Sequence, residues 1–318
     1  MNNYPFFSQP EIQALAIALL AIVSDAIWRW PRAYHPLTLM RYLAEAMATR
    51  VRPGHNDTAF QHSISGSLGA IVLVAPLVIL LAMLVYMAEY PLFFEAVILL
   101  SVLDFGHDRA CYNQVLHALG KEKKVLARHT LKTIVARDTD RLSPVGVAKA
   151  AIESLLLRFY YLYCGVLFWF VLAGPVAALT YRLLLLLSWQ WHRRRPGFMR
   201  FSQPVTRLVH LAAIIPCITG AIIMALVTHP VKAFKGARKS PAKDGSSLLL
   251  AMFGNAMGIQ LGGPAIYHGI KLRYPRVGGE REVRFSDLTY TKRAITRAVI
   301  LFATLLCLFY LAVYRLTL

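Results

Sequence analysis

Acidic residues are scarce in this sequence. Its 318 residues include 16 Asp and Glu against 35 Lys and Arg, which gives a formal net charge of +19 at pH 7. Charged residues make up 16% of the chain and hydrophobic residues 57%, whereas soluble domains average about 25% charged and about 45–50% apolar residues. This composition excludes a disordered protein and a collagen-like one. Basic charge on an apolar background is typical of a membrane protein with cationic loops.

Cysteine is also rare, and the few cysteines are far apart in the sequence. No C-x-x-C pair is present, and no His and Cys residues have the spacing of a zinc site. The sequence therefore excludes a secreted disulfide scaffold. It predicts packed, unpaired thiols at Cys111, Cys164, Cys217 and Cys307.

The common catalytic and nucleotide-binding motifs are missing too. The sequence contains no G-x-x-x-x-G-K-[ST], no G-x-G-x-x-G, no H-E-x-x-H and no G-x-S-x-G, so it lacks the standard fingerprints of these enzyme classes. A large positive charge often indicates nucleic-acid binding, but that function requires the charge to lie on a soluble surface. We expect no nucleic-acid partner, because the basic residues lie between long apolar runs.

These apolar runs predict membrane-spanning helices, which need about 20 consecutive apolar residues. Five runs support such helices, at residues 12–28, 58–88, 159–181, 208–231 and 298–314. Two shorter candidates are residues 92–103 and residues 183–187, the latter after Gly174-Pro175 as part of a helical hairpin over 159–191. The predicted fold is an all-α polytopic membrane protein, with a bundle of about five to seven hydrophobic helices. We expect residues 1–318 to form a single integral membrane domain.

The basic residues fall between the apolar runs. All but Arg182 and Arg315 lie in four segments, which we predict to be cytoplasmic loops: residues 29–67, 104–158, 190–207 and 229–298. No Lys or Arg precedes the first run, so a cleavable signal peptide is not expected, and the positive-inside rule places the N-terminus in the periplasm. If all seven apolar segments crossed the membrane fully, the four basic loops could not all lie on the same side of it. Residues 208–228 are therefore expected to enter and leave the membrane on the same face.

The first of three polar segments with candidate functional residues covers residues 25–37. Asp25 lies at the end of the first apolar run, and His35-Pro36 opens the following loop. Ionisable groups near a membrane are costly and often functional. The alternative is an interfacial ion pair between Asp25 and Arg29.

The second polar segment covers residues 132–154. Charges of opposite sign alternate over residues 137–141, and Ser143-Pro144 predicts the start of a helix that carries Glu153. Such a pattern is also typical of a solvated helix end with local ion pairs.

The third polar segment covers residues 240–269. Gly254, Gly258 and Gly262 recur at a spacing of four, which would let a helix approach a neighbour closely in a membrane. The turn at residues 262–264 can present backbone N–H groups to an anion. The alternative is a close-packed helix followed by an ordinary turn.

Taken together and in this order, these segments resemble the CobD/CbiB family of adenosylcobinamide-phosphate synthases, from about residue 25 to residue 269. Ser240-Pro241 and Gly245 also resemble a Ser-Pro-Asn-Ala-Gly stretch of the family. Its main parts are His35-Pro36, residues 134–139 (IVARDT), residues 150–154 (AAIES), residues 167–169 (LFW) and residues 261–269 (LGGPAIYHG).

The resemblance implies a multi-pass enzyme of the bacterial inner membrane that acts in cobalamin biosynthesis. It would join adenosylcobyric acid to aminopropanol or its phosphate through an amide bond, with ATP and Mg²⁺ as co-substrates and no bound prosthetic group. Asp138 and Glu153 would be catalytic and would hold Mg²⁺. The implied partners are the lipid bilayer, these substrates and other corrinoid-assembly enzymes. The implied substrate-binding residues are His35, Arg137, Thr139, Ser154, Ser240, Gly262, Gly263, Pro264 and Tyr267.

The chain departs from the family pattern at several polar positions. Residues 155–165 and 183–190 are mostly apolar where the family has Asn and carboxylates, and Val209-His210 stands where the family has two Asp. Asp104, His107 and Asp108 are candidate replacements. Residues 158–174 also resemble AmpE, a membrane protein linked to β-lactamase induction, so a signalling or accessory membrane protein is the alternative function, followed by a transporter.

Overall fold

The structure is a computed structural model that describes residues 9–28, 30–54, 57–240 and 244–317. A short 3₁₀ turn, Arg32–Tyr34, precedes α2, and a π-helical turn, Phe159–Cys164, joins α7 to α8. The helices are α1 Pro10–Ile27, α2 Pro36–Val51, α3 Ala59–Met87, α4 Pro91–Val102, α5 Phe105–Gly120, α6 Lys124–Lys132, α7 Pro144–Arg158, α8 Gly165–Gln190, α9 Gln203–Val227, α10 Pro230–Lys239, α11 Gly245–Met257 and α12 Phe285–Thr317. The strands are β1 Gln260–Gly262, β2 Ala265–Tyr267, β3 Ile270–Leu272 and β4 Arg276–Gly278.

The predicted all-α polytopic fold is confirmed. Within the described residues, five helical segments are long and apolar enough to cross a membrane: Pro10–Ile27, Ala59–Met87, Pro144–Gln190, Gln203–Val227 and Phe285–Leu316. Helix α4, with 12 residues, is about 18 Å long at 1.5 Å per residue and is too short to cross the bilayer core by itself.

The chain divides into two compact units. Unit 1 comprises residues 1–104, 165–213 and 303–318, and unit 2 comprises residues 105–164 and 214–302. Unit 1 therefore contains α1 to α4 and α8, and unit 2 contains α5 to α7, α10, α11 and the four strands. The single membrane domain and the cytoplasmic position of the loops stay predictions.

Within unit 1, helix α8 reverses its direction near its middle. Ala173 and Gly174 have non-helical backbone angles, and the φ of Gly174 is +77°. Gly165 faces the ring of Tyr181 so closely that a Cβ atom at Gly165 would overlap it, although 16 residues of straight helix would separate them by about 24 Å. The reversal that Gly174-Pro175 predicted is therefore confirmed.

Helix α3 begins at a capping box and then packs against a backbone. The Thr58 hydroxyl accepts a hydrogen bond from the Gln61 N–H at 3.2 Å, and the Gln61 side chain accepts one from the Thr58 N–H at 2.7 Å. Two turns further on, Gly66 lies against Phe201, and a Cβ atom at this glycine would overlap the carbonyl oxygen of Phe201. Only glycine permits this approach.

Replacing Gly66 by Ala is expected to lower the free energy of unfolding by about 1–3 kcal/mol, since overpacking against an unyielding backbone has costs of this size. Gly69→Ala is the matched control on the same helix. A Cβ atom there would make ordinary contacts of 3.6 Å with Met47 and Trp191, and alanine has the higher helix propensity. Thermal unfolding in detergent micelles checks the pair. Equal melting temperatures for the two variants would contradict the close approach.

In unit 2, the predicted helix start at Ser143-Pro144 is confirmed. The Ser143 hydroxyl accepts a hydrogen bond from the Gly146 N–H at 3.1 Å, and Pro144 is the first residue of α7. The four cysteines of the chain are free, as predicted; Cys111, Cys164 and Cys217 are buried, whereas Cys307, in unit 1, is half-buried.

The glycine-rich segment of unit 2 differs from the prediction of one glycine-lined helix. Helix α11 ends at Met257, Gly258 adopts a left-handed φ of +68°, and the chain continues into strand β1. Strand β1 pairs with β4 and β2 pairs with β3, both antiparallel. Gly254 does make a close approach, but to Gly278 on β4, whose Cα atom would lie 2.8 Å from a Cβ atom at Gly254. The spacing of four was thus misleading, because left-handed glycines end helices.

Candidate functional site

Three of the segments that carry the resemblance meet in unit 2, around the carboxylate of Glu153. One oxygen of Glu153 accepts a hydrogen bond from the Gly262 N–H at 2.7 Å. The other oxygen accepts a hydrogen bond from the Arg137 guanidinium and forms an ion pair with it. Helix α7, the segment 134–139 and the turn after β1 are therefore joined through one side chain.

The surroundings of Glu153 explain why it needs both partners. Glu153 is 4% exposed, and a buried carboxylate is costly unless it is paired and hydrogen-bonded. Burial alone would lower the pKa of Arg137, but the charge of Glu153 and its hydrogen bond outweigh burial and raise that pKa. Arg137 therefore carries its positive charge at any physiological pH.

Asp138 holds the neighbouring hairpin at two points. Its backbone N–H donates to the Ile266 carbonyl at 2.8 Å, and its Oδ2 atom accepts from the Gly269 N–H at 2.9 Å. His268 and Gly269 have φ values of +49° and +78°, which suits a two-residue turn between the antiparallel strands β2 and β3. The Asp138 side chain itself is exposed.

Ser154 and Arg158 anchor the start of the segment 134–139. The Ser154 hydroxyl donates to the Ile134 carbonyl at 2.8 Å, and the Arg158 guanidinium donates to the same oxygen at 3.1 Å. Arg158 also pairs with the buried Asp108 at 2.9 Å. Among the candidate replacements for missing polar residues, Asp108 thus belongs to this network, whereas His107 lies 3.3 Å from the Cys111 sulfur.

Both glycine N–H groups of the predicted anion-binding turn have partners within the chain. The Gly262 N–H donates to Glu153, and the Gly263 N–H donates to the Pro275 carbonyl at 3.0 Å. The φ values of +69° and +94° are left-handed, so glycine is required at both positions. The anion that this turn holds is the carboxylate of Glu153; its binding of a substrate anion stays a prediction.

The remaining predicted residues have different surroundings. Thr139 is 1% exposed, and its hydroxyl has no hydrogen-bond partner among the described residues. Pro264 is exposed and Tyr267 is buried close to Arg137. Ser240 is the cap residue that follows helix α10, and residues 241–243 lie outside the described residues.

His35 belongs to unit 1 and caps helix α2 there. Its Nδ1 atom accepts a hydrogen bond from the Leu37 N–H at 3.1 Å, so the proton of a neutral His35 lies on Nε2. Nε2 lies 4.0 Å from Asp104, which also lies 3.7 Å from Arg41. Asp25 is buried in the same unit, while its predicted partner Arg29 lies outside the described residues.

Two basic residues that the sequence analysis missed lie beside the turn. The Lys149 amine is 3.7 Å, and the Arg276 Nε atom 3.8 Å, from the point that a Cβ atom at Gly263 would occupy. Lys149 precedes Glu153 by four residues on α7, a spacing that places both on one helix face, so this neighbour was open to prediction. Arg276 lies opposite Gly262 in the β1–β4 pairing, which no local pattern indicates.

The two predicted Mg²⁺ ligands differ in how well they fit a metal ion. Both oxygens of Glu153 accept hydrogen bonds, and Arg137 balances its charge. Asp138 is exposed, and its hydrogen bond from Gly269 involves Oδ2 alone. Nowhere in the described part of the chain do three or more His, Cys, Asp or Glu side chains form a metal-binding group. Since Mg²⁺ commonly takes one or two carboxylates plus substrate phosphates, Asp138 fits such an ion better than Glu153.

Comparisons with known proteins agree on one family. The family model described as "CobD/Cbib protein" matches residues 18–302. A cobalamin biosynthesis protein CobD of Stutzerimonas stutzeri is 30% identical over 264 residues, which cover 81% of this chain and 85% of the relative. The protein of the same name from Chromobacterium violaceum is 27% identical over 294 residues, which cover 90% and 93%. No solved structure matches this chain significantly.

Proposed function

Since the chain belongs to the CobD/Cbib protein family, we propose that it is a membrane enzyme of cobalamin biosynthesis. The proposed reaction joins a carboxylate of adenosylcobyric acid to the amine of aminopropanol, or of its phosphate, and consumes ATP. The observation that carries the proposal is the meeting of segments 134–139, 150–154 and 261–269. The first and last of these segments are more than 100 residues apart in the sequence, yet polar residues of all three segments are joined by direct hydrogen bonds.

The residues of this site suit the charges that amide formation generates. The reaction breaks the C–O bond of an activated carboxylate and forms a C–N bond, while the departing oxygen leaves with its phosphate and the amine loses a proton. Cations stabilise the departing phosphate, and Arg137, Lys149 and Arg276 supply positive charge at the site. A carboxylate receives the amine proton, and we assign that role to Asp138, which is exposed and has no cation paired with it among the described residues.

Glu153 has a different role in this proposal. Its charge is balanced by Arg137 and its second oxygen holds the Gly262 N–H, so it positions the guanidinium and the turn relative to each other. When Mg²⁺ is bound with ATP, the ion supplies further neutralisation of phosphate charge. Asp138 is the side chain that fits it, and an Asp138 that held the ion would leave the amine proton to the departing phosphate.

The proposed location is the bacterial inner membrane, with the N-terminus in the periplasm and the basic loops in the cytoplasm. ATP and an aminoalkyl phosphate are anions of the cytoplasm, and cationic loops raise the local concentration of anionic substrates. The five long apolar helices found among the described residues support a membrane location.

Genetic complementation tests the proposed function. A strain that lacks its own synthase and receives cobyric acid as its sole corrinoid should grow when this gene is expressed, and cobinamide or its phosphate should be detected by mass spectrometry. Absence of the product despite good expression in the membrane would overturn the proposal. A change in antibiotic-induced gene expression without the product would favour the signalling alternative, and altered corrinoid uptake without the product would favour a transporter.

A further inference from the structure

We propose that Lys149 and Arg276, both beside Gly263, form a binding subsite for a phosphate group. The subsite adjoins the Arg137–Glu153 pair. The identity of the molecule that carries the phosphate rests on the proposed function, whereas the binding of phosphate itself rests on the geometry alone.

Lys149 is the first element of the subsite. Its side chain is half-buried on α7, and its amine points to the turn, 3.7 Å from the Cβ position of Gly263. It makes no hydrogen bond or ion pair with any residue in the described part of the chain, although an ammonium group removed from water is costly without an anionic partner. The carboxylate of Glu153 attracts it, and two cations, Arg276 and Arg137, repel it.

Arg276 approaches the same point from strand β4. Its Cγ atom lies 3.2 Å and its Nε atom 3.8 Å from the Cβ position of Gly263. Its Nη1 atom donates to the Gln260 side chain at 3.4 Å, a long bond to a neutral group that leaves the charge of the guanidinium unbalanced. Two cationic groups therefore converge on one small volume.

The balance of charge at this place favours a bound anion. Two carboxylates, Glu153 and Glu282, act on Lys149, and the charge of Glu153 is balanced by its ion pair with Arg137. Lys149 and Arg276 thus share the one remaining carboxylate, and positive charge remains in excess. A phosphate monoester carries about 1.5–2 negative charges at pH 7.

Glycine at position 263 keeps the space between the two cations open. The residue is buried, and with a φ of +94° it occupies a backbone region that other residues rarely adopt. A side chain here would contact both Lys149 and Arg276. Without one, an oxygen of a phosphate group can reach both cations, as charge-assisted hydrogen bonding requires.

The full chain, purified in detergent, tests the subsite by calorimetric titration with three probes: inorganic phosphate, ATP and aminopropanol phosphate. We expect Lys149→Met and Arg276→Met each to weaken binding of at least one phosphate probe about tenfold or more, the loss of one charge-assisted contact. Lys149→Arg should retain most of the affinity. Lys124→Met, at an exposed position on α6, is the matched control and should bind as the wild type does.

The probes separate the possible sources of the phosphate. If the Met variants lose affinity only for ATP, the subsite binds the nucleotide. If they lose affinity only for aminopropanol phosphate, the subsite binds the amine substrate. Wild-type affinity of both Met variants for all three probes would overturn the proposal, and so would an equal loss in Lys124→Met, which would indicate attraction by net charge alone. If the wild type binds phosphate through Lys149 but forms no cobinamide, the proposed function fails and the subsite stands. If product forms and both Met variants keep the wild-type KM values, the subsite fails alone.

Discussion

Replacing Glu153 by Gln is expected to reduce product formation at least 100-fold and to lower the free energy of unfolding by about 3–5 kcal/mol. The physical reason is that the substitution leaves the charge of Arg137 without its partner in a largely buried site, and removing one member of a buried pair costs this much. The amide of Gln can still accept the hydrogen bond from Gly262, but it cannot balance the guanidinium. Product yield by mass spectrometry and thermal unfolding in detergent measure the two effects.

Two further variants separate stability from activity. Glu45→Gln is the matched control, because Glu45 pairs with Arg195 through two hydrogen bonds of 2.6 and 2.8 Å in a pair whose members are about one-third exposed. Such a pair contributes at most about 1 kcal/mol, so the control should remain active. The double variant Arg137→Met with Glu153→Gln should recover much of the lost stability, since it removes the unpaired buried charge and keeps an acceptor for the Gly262 N–H, but it should stay inactive. Full activity in the double variant would refute a functional role for the pair.

The second large effect is expected at the turn that holds Glu153. Gly262→Ala places a Cβ atom 2.6 Å from the Pro275 carbonyl oxygen, closer than atoms of these types approach in folded proteins, and it does so at a left-handed φ of +69°. The backbone must move, and the Gly262 N–H moves away from Glu153 with it. We expect a loss of product formation of about 50-fold or more, since misplacement by about 1 Å can cost about 10²-fold in rate.

Gly258→Ala is the control for this prediction. Gly258 has nearly the same φ, +68°, but a Cβ atom there meets nothing within 4 Å, so the substitution has only the conformational cost of a left-handed alanine, about 1–2 kcal/mol. The two variants should therefore be comparably strained in the backbone while only Gly262→Ala loses activity. Equal activities in the complementation assay would contradict the role of the close contact with Pro275.

The membrane helices were predicted closely because hydropathy is a local property. The uncharged run of residues 58–88 became helix α3 at Ala59–Met87, and Gly174-Pro175 marked the reversal in α8. A run of apolar side chains long enough to cross the bilayer forms a helix whatever its neighbours are, because backbone groups in lipid must be hydrogen-bonded internally. Ser143-Pro144 is similar, since a helix cap acts within one turn.

The candidate site was predicted only in part. The sequence pointed to Arg137 and Glu153 as functional residues but gave them separate roles, whereas the structure joins them in one ion pair. It also pointed to Gly262 and Gly263 as an anion-binding turn, and their N–H groups have partners in Glu153 and Pro275. Local patterns indicate which groups can form hydrogen bonds, but not which distant groups satisfy them.

By itself, the sequence determined that this chain is a helical membrane protein with cationic polar segments, and its ordered motifs pointed to the family. Only the tertiary structure decided that Glu153 faces Gly262, 109 positions further along the chain, and that Lys149 and Arg276 stand beside Gly263. The difference is physical. Apolar runs and caps act over one helix or one turn, whereas the partners of a buried charge are set by the packing of the whole unit, in which each polar group must find a partner or remain costly.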